Sequence, residues 1–188
     1  MVRRLFAVLL AIVILLILVG FLLPRTIVVE RSRLIEQPPE VIFAVLSDFR
    51  HFPHWSPWFR RAPDAGYRYE GPDSGVGATL VWSDEAGSGG GRWSIIAVDP
   101  PRRIDLALEL GETEVQGYFL LEQEQTGQLV TWGMRLEVGS LDLVGRYMGL
   151  ILPGLVGREY RDGLEMLDVY LAQTPGQVPP LNAEDGSG

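Results

Sequence analysis

Two histidines, His51 and His54, lie close to Asp48 in an aromatic segment, FRHFPHWSPWF, that covers residues 49–59. Imidazole and carboxylate groups that converge can hold a metal ion or move a proton. A metal site needs a third ligand, however, and the chain contains only 2 His. The two prolines of the segment predict a short helix or a pair of turns rather than a strand. We therefore predict no metal site and no catalytic residue in this segment.

Other chemistry is restricted by composition. The chain has no lysine and no cysteine, which excludes a Schiff base, a phosphate-binding lysine of the Walker type, thiol catalysis and disulfides. No serine has a nearby His–Asp pattern that would suggest a hydrolase triad. The net charge of −8 disfavours nucleic acid and anionic surfaces as partners. We expect no cofactor and no nucleic acid, and the sequence assigns no protein partner.

The main candidate site is a set of apolar side chains that strand periodicity places on one side of a sheet. Such a set either fills a solid core or lines an apolar cavity for a small molecule. Tyr147 lies near the start of the last helix, and its hydroxyl is predicted either to reach that cavity or to lie at the surface. The remaining members of the set are Leu80, Trp82, Trp93, Ile95, Leu106, Leu108, Phe119, Trp132 and Met134.

A run of short strands is predicted to position these side chains. The β-branched segment 26–35 favours a first strand, and the apolar spacing in segment 40–48 favours a helix. Five further segments with alternating or β-branched residues are typical of strands in an antiparallel sheet, and a shorter one at 66–71 could add another. The five are 77–84, 92–99, 102–110, 115–124 and 128–138. A glycine-rich loop at 85–91 is predicted at the mouth of a cavity.

The period changes after the last strand. Apolar residues three or four apart predict one long amphipathic helix over 140–172, opened by a Ser140 cap and kinked or split at Pro153 and Gly154. One long helix cannot cover both faces of such a sheet. We therefore predict an α+β fold in which a curved antiparallel sheet of six to seven strands surrounds the C-terminal helix. The Pro/Gly-rich tail 174–188 is predicted to be disordered.

Residues 5–23 form a stretch without a single charge. At ~1.5 Å per residue it is about as long as the ~30 Å hydrocarbon core of a bilayer, which predicts one transmembrane helix. The alternative is a cleaved signal peptide, but its apolar region is usually shorter and ends at a small-x-small site, which this stretch lacks. The organisation is then a short cytoplasmic tail at 1–4, the transmembrane helix at 5–23 and one domain at 24–173.

The side of the membrane on which the domain lies follows from the flanking charges. Arg3 and Arg4 favour a cytoplasmic N-terminus, whereas Arg25, Arg31 and Arg33 weaken that bias. We expect a single-pass membrane protein with its domain outside the cytoplasm.

The order and spacing of these segments resemble the START-like, or SRPBCC, superfamily, and in particular its bacterial polyketide cyclase/dehydrase branch. The resemblance covers nearly all of 26–172. The segments that match are PPEVIFAVLSDFRHFPHWSPW (38–58), GVGATLVW (75–82), GRWSI with DPPRRI (91–104), GQLVTW (127–132) and the closing helix. It implies a helix-grip fold over a hydrophobic tunnel and binding of a small apolar ligand or lipid, but no single activity. It also implies that Trp55 and Trp58 lie in the core or at the cavity mouth, where they could form a gate.

Three functions follow as hypotheses. The first is a membrane-anchored binding domain for a small hydrophobic molecule or lipid. The second is a cyclase or dehydratase acting on a polyketide-like substrate, which needs an acid or base inside a cavity that we predict to be almost wholly apolar. The third is a non-catalytic structural or interaction module with a solid interior.

Overall fold

The computed structural model describes residues 1–83, 90–111 and 113–174. Its first element is helix α1 (Val2–Leu22), which ends where Leu23 becomes extended ahead of Pro24. Among the described residues it is the one helix long and apolar enough to cross a membrane. Its side chains are exposed apart from the region of Gly20, so the helix is not part of the domain core.

The domain is built on one antiparallel sheet of seven strands in the order β1-β7-β6-β5-β4-β3-β2. Alternating buried and exposed residues in the longer strands leave one face apolar, which the helices cover. The strands are β1 (Thr26–Ile35), β2 (Arg68–Glu70), β3 (Thr79–Ser83), β4 (Gly90–Asp99), β5 (Arg103–Leu110), β6 (Thr113–Glu124) and β7 (Gly127–Glu137). The predicted α+β helix-grip fold is confirmed.

In the described ranges, six helices are present besides the sheet, together with a 3-10 turn at Phe49–His51. After α1 they are α2 (Pro39–Leu46), α3 (Phe52–Trp55), α4 (Pro57–Arg61), α5 (Leu143–Met148) and α6 (Leu152–Gln173). The aromatic segment therefore forms short helices, as its prolines predict. Of the predicted loop 85–91 only Gly90 and Gly91, both in β4, are described, and residues 175–188 of the tail lie outside the described part of the chain.

The helix predicted over 140–172, with a kink or split at Pro153 and Gly154, is split into the two helices α5 and α6. The Asp142 carboxylate, not Ser140, caps α5 by accepting a hydrogen bond from the Gly145 N–H at 2.8 Å. The break lies before Pro153, which sits in the first turn of α6, where the missing N–H leaves no helical hydrogen bond unmade. This break turns α5 away from the axis of α6.

Helix α6 crosses the apolar face of the sheet with Tyr160, Leu164 and Leu167 buried. The ring of Trp132, on the central part of β7, is fully buried and stacks on the Tyr160 ring with 4.3 Å between centroids. The close approach of the α6 backbone to the Trp132 ring depends on Gly163, because a Cβ at this position would lie 2.7 Å from that ring. The core is therefore centred on the contact between β7 and α6.

Two side chains of α5 bind it to α1. The guanidinium of Arg146 is buried and donates hydrogen bonds to the carbonyl oxygens of Phe21, at 2.9 Å, and Leu23, at 3.3 Å. The Tyr147 hydroxyl donates to the Leu16 carbonyl oxygen at 2.7 Å. Since the last carbonyls of a helix have no intrahelical partner and carry partial negative charge, the arginine caps the C-terminal end of α1.

Candidate functional site

A cavity of about 670 Å³ lies between the sheet, helices α3 and α4, and the first turns of α6. Its wall is mostly apolar, and aromatic rings supply much of it. The lining residues are Phe52, Trp58, Phe59, Arg61, Ala62, Ala65, Tyr67, Leu80, Trp82, Gly90, Trp93, Leu108, Leu110, Val115, Met134, Val156 and Tyr160. A concave apolar site with a few polar groups is the usual form of a small-molecule binding site.

The cavity lies at one end of the sheet. Gly90 is the first residue of β4, Leu110 the last of β5, and both are exposed at the rim. At the same end, Thr26 of β1 pairs with Glu137 of β7. Thr26 follows α1 after only three residues. The cavity therefore opens at the end of the domain to which α1 is joined.

Six of the predicted site residues form part of the cavity wall: Leu80, Trp82, Trp93, Leu108, Met134 and Trp58. Strand alternation identified the correct face of the sheet for the first five. Trp58 is half-buried, with its ring centroid 6.0 Å from that of Trp93. Their contact with a ligand stays a prediction.

The other predicted site residues do not line the cavity. Each lies deeper along its strand or in the helical layer and is buried in the core beneath the cavity: Ile95, Leu106, Phe119, Trp132 and Trp55. Trp55 packs its ring against Phe119 and Trp132, so it belongs to the core and not to the mouth. Tyr147 is away from the cavity altogether, because α5 turns toward α1 and the hydroxyl bonds to Leu16.

Several wall residues were not predicted as site residues. Phe59 and Tyr67 stack with 3.6 Å between ring centroids, and Val156 and Tyr160 come from α6. Tyr160 lies on the predicted apolar stripe of the last helix, which was a usable signal. The contribution of Tyr67 depends on how the chain returns from α4 to β2, and no local pattern indicates that.

The polar groups of the wall are hydrogen-bond donors. Burial raises the pKa of the Tyr160 phenol well above its ordinary value of 10.0, and burial also raises that of Tyr67. The buried indole N–H of Trp93 has no hydrogen-bond partner among the described residues. Arg61 at the rim is paired with Glu159, its Nη1 lying 2.7 Å from Oε1. Because the Trp93 N–H is enclosed and does not face the cavity space, the neutral phenols are the groups that can donate to an acceptor oxygen of a bound molecule.

The described part of the wall supplies hydrogen-bond donors rather than bases. Among the described lining residues there is no carboxylate and no imidazole. Through these residues the wall can bind a carbonyl or hydroxyl oxygen by hydrogen bonding.

The two histidines pack outside the cavity against the C-terminal part of α6. His51 Nδ1 lies 2.8 Å from the Tyr170 hydroxyl, and the His54 ring stacks on the Tyr170 ring with 5.1 Å between centroids. Burial lowers the pKa of His51 below 6.5, partly opposed by the nearby carboxylate of Asp48. In the described ranges no group of three or more His, Cys, Asp or Glu side chains could hold a metal ion. Through these contacts, the two histidines pack the aromatic segment against Tyr170 of α6.

The sequence of residues 26–172 matches the model of a protein family described as polyketide cyclase / dehydrase and lipid transport. The chain belongs to this family. The match covers the whole sheet and nearly all of α6, and it confirms the resemblance to the START-like superfamily. Among proteins with curated functions, none matches the chain significantly.

Several solved structures share this fold. The di-domain ARO/CYC protein StfQ of the steffimycin biosynthetic pathway superposes with a TM-score of 0.61 at 12% identity, over 80% of this chain and 52% of that one. KanY gives a TM-score of 0.58 at 16% identity, over 78% and 98% of the two chains. A protein of Mesorhizobium loti gives 0.56 at 19% identity, over 80% and 98%. Identities this low establish the shared fold alone.

Proposed function

We propose that this protein is a membrane-anchored binding protein for a small, mainly apolar molecule, such as a lipid or a polyketide-like compound. The observation that supports it is the cavity of about 670 Å³ at the end of the sheet next to α1. That volume lies within the ~300–1,000 Å³ typical of small-molecule sites. Burial of apolar ligand surface, at roughly 25 cal/mol per Å² before ordering costs, supplies the affinity.

The donors on the wall restrict the class of ligand further. The hydroxyls of Tyr160 and Tyr67 suit a molecule with at least one acceptor oxygen on an otherwise apolar body. A ligand carboxylate has no described free cation on the wall to pair with, since Arg61 is already bonded to Glu159. We therefore favour a neutral ligand with a carbonyl or hydroxyl group.

Anchoring through residues 5–23 is the second part of the proposal. The buried contacts of Arg146 with the end of α1 favour an uncleaved anchor over a signal peptide. Cleavage after α1 would remove the Phe21 acceptor and the helix against which the guanidinium packs. We place the domain outside the cytoplasm, on the basis of Arg3 and Arg4.

The test is native mass spectrometry of the full chain, purified in detergent from its own cells, beside two variants. Leu108→Trp fills the cavity, and Ile96→Trp adds the same ring at an exposed position of β4. We expect a discrete added mass on the wild-type protein and on Ile96→Trp, and its loss from Leu108→Trp. No added mass after incubation with total lipid extract, or equal binding by both variants, contradicts a binding cavity.

A second candidate, an enzyme of the cyclase or dehydratase type, is favoured by one observation. Tyr160 places a protonated phenol on the cavity wall, where it could donate a hydrogen bond to a substrate carbonyl. If the protein is a dehydratase, or a cyclase whose product loses water, Tyr160→Phe should accumulate a bound species heavier by one water than the species on the wild-type protein. Identical bound masses on the two proteins favour binding without turnover.

A further inference from the structure

Exposed apolar side chains are concentrated on α5 and the turns on either side of it. Leu141 is 81% exposed, Val144 75% and Leu150 63%. We call this set the α5 apolar surface; its members are Leu141, Val144, Met148, Leu150, Ile151 and Leu155. Soluble monomers rarely expose so many neighbouring large apolar residues unless the patch binds something.

Charge on this surface is almost absent. Residues 140–152 contain two charged side chains, Asp142 and Arg146. The Asp142 carboxylate caps α5, and the Arg146 guanidinium is buried against α1. The surface therefore has no exposed cation for anionic headgroups or acidic partners, and its interactions must be apolar.

The contacts between α5 and α1 determine where along α1 the α5 apolar surface lies, and therefore how deep it would lie in a bilayer that α1 spans. The Tyr147 hydroxyl binds the Leu16 carbonyl, and Arg146 binds those of Phe21 and Leu23. Leu16 precedes the end of α1 by six residues, which is about 9 Å at ~1.5 Å per residue. Amphipathic interfacial helices bury their apolar face about 5–10 Å into the headgroup boundary. If α1 spans the bilayer, α5 lies beside its last turns at that depth.

We propose that the α5 apolar surface inserts into the interfacial layer of the same bilayer that α1 crosses. This inference rests on the proposed anchoring and adds a second, peripheral membrane contact. The partner is the lipid of the bilayer, because the surface continues directly from the apolar helix and residues 140–152 offer no exposed cation. As a consequence, the cavity, whose wall includes Val156 in the first turns of α6, lies next to the lipid surface.

The absence of cysteine makes a single-thiol experiment direct. Val144→Cys, labelled with an environment-sensitive fluorophore, reports on the α5 apolar surface. Val169→Cys, on the distant part of α6 and also exposed, is the matched control. The full chain is reconstituted into phosphatidylcholine vesicles with or without lipids that carry a quencher near the headgroup. A label on Leu150→Cys repeats the measurement at a second position.

We expect the headgroup-proximal quencher to lower the emission of the Val144 label at least about twofold, since an interfacial helix lies within about 5–10 Å of the boundary. We expect no quenching of the Val169 label. Salt at about 1 M, which cuts the Debye length to ~3 Å, should leave the Val144 quenching unchanged because the contact is apolar.

Three results would overturn the inference. Quenching at a Leu5→Cys label, exposed near the other end of α1, but not at Val144 or Leu150, removes the interfacial contact and leaves the anchor intact. Quenching at none of the three positions removes the anchor itself and the inference with it. A Val144 label that is shielded without lipid quenching, and only at high protein density in the vesicles, shows that a second copy covers the surface.

Discussion

At the scale of single residues, the histidine contacts with α6 make the protein sensitive to acid. Burial lowers the pKa of His51 below the 6.5 of the unfolded chain. Below pH 6.5, His51 takes up a proton more readily in the unfolded chain than in the folded one. The contribution of neutral His51 to the free energy of unfolding is therefore complete above pH 6.5. It is lost as the pH falls through the lower pKa that His51 has in the folded protein.

We therefore expect the Tm of the full chain in detergent to fall as the pH is lowered below 6.5, and His51→Gln to reduce that dependence. NMR titration of His54→Gln, in which His51 is the remaining histidine, would report the pKa directly. A His51 pKa at or above 6.5 would contradict the assigned burial effect.

The hydroxyl of Tyr160 gives a second prediction at this scale. Tyr160→Phe keeps the ring that stacks on Trp132 but removes a donor from the cavity wall. A lost hydrogen bond of about 0.5–1.5 kcal/mol should weaken binding of the native ligand by roughly three- to tenfold with little change in Tm. The change in affinity can be measured by displacing the native ligand with a competitor and following its release by mass spectrometry. Tyr69→Phe, at an exposed tyrosine of β2, should have no effect.

The sequence predicted the face of the sheet on which each strand residue lies. It did not predict how far along each strand the cavity extends. The alternation of side chains along a strand fixed the side on which Leu108 and Met134 lie, because its period of two is local. How far along the strand the cavity reaches depends on where α6 crosses the sheet, which is a long-range contact. Phe119 and Trp132 therefore point the predicted way but lie beneath the cavity.

At the scale of elements, the packing of α6 on the sheet depends on one small residue. A Cβ at Gly163 would meet the Trp132 ring at 2.7 Å and Pro57 Cδ at 3.2 Å, whereas a Cβ at Gly154 of the same helix has nothing within 4 Å. Substitution of Gly154 by alanine therefore tests helix propensity alone, whereas the same substitution at Gly163 also tests close packing.

We expect Gly163→Ala to destabilise the domain, because overpacking costs about 1–3 kcal/mol against a propensity gain of about 1 kcal/mol. Gly154→Ala should be neutral or stabilising by up to about 1 kcal/mol. Denaturation of both variants by urea, followed by tryptophan fluorescence, gives the comparison. Equal stability of the two variants would mean that α6 can shift away from β7 at little cost.

Elements were the part of this protein that the sequence predicted best. Strand β1 covers the predicted residues 26–35, and the short helices of the aromatic segment follow from its prolines. The break between α5 and α6 was predicted at Pro153 and lies just before it, since proline fits the first turn of a helix better than its interior. Because α5 contacts α1, the Tyr147 hydroxyl bonds to Leu16 and does not reach the cavity, which agrees with the second of its two predicted positions.

At the scale of the whole molecule, Arg146 is the main polar link between the apolar helix and the domain. Arg146→Met keeps an unbranched apolar stem and removes the donors to Phe21, Leu23 and Ser140. Charge-assisted hydrogen bonds are worth about 1.5–3 kcal/mol, so the contact between α1 and α5 should loosen while the core, which Arg146 does not contact, stays folded.

Spin labels at Val8→Cys in α1 and Val169→Cys in α6 would measure that change in the reconstituted full chain. We expect a narrow distance distribution in the parent protein and a broad one with Arg146→Met, whereas Arg158→Met, an exposed arginine on α6, should leave it narrow. Loosening should also reduce lipid quenching at Val144, because the α5 apolar surface would no longer be held at its depth. A distribution that stays narrow would mean that apolar packing at Gly20, against Leu143 and Tyr147, is sufficient to hold the domain against α1.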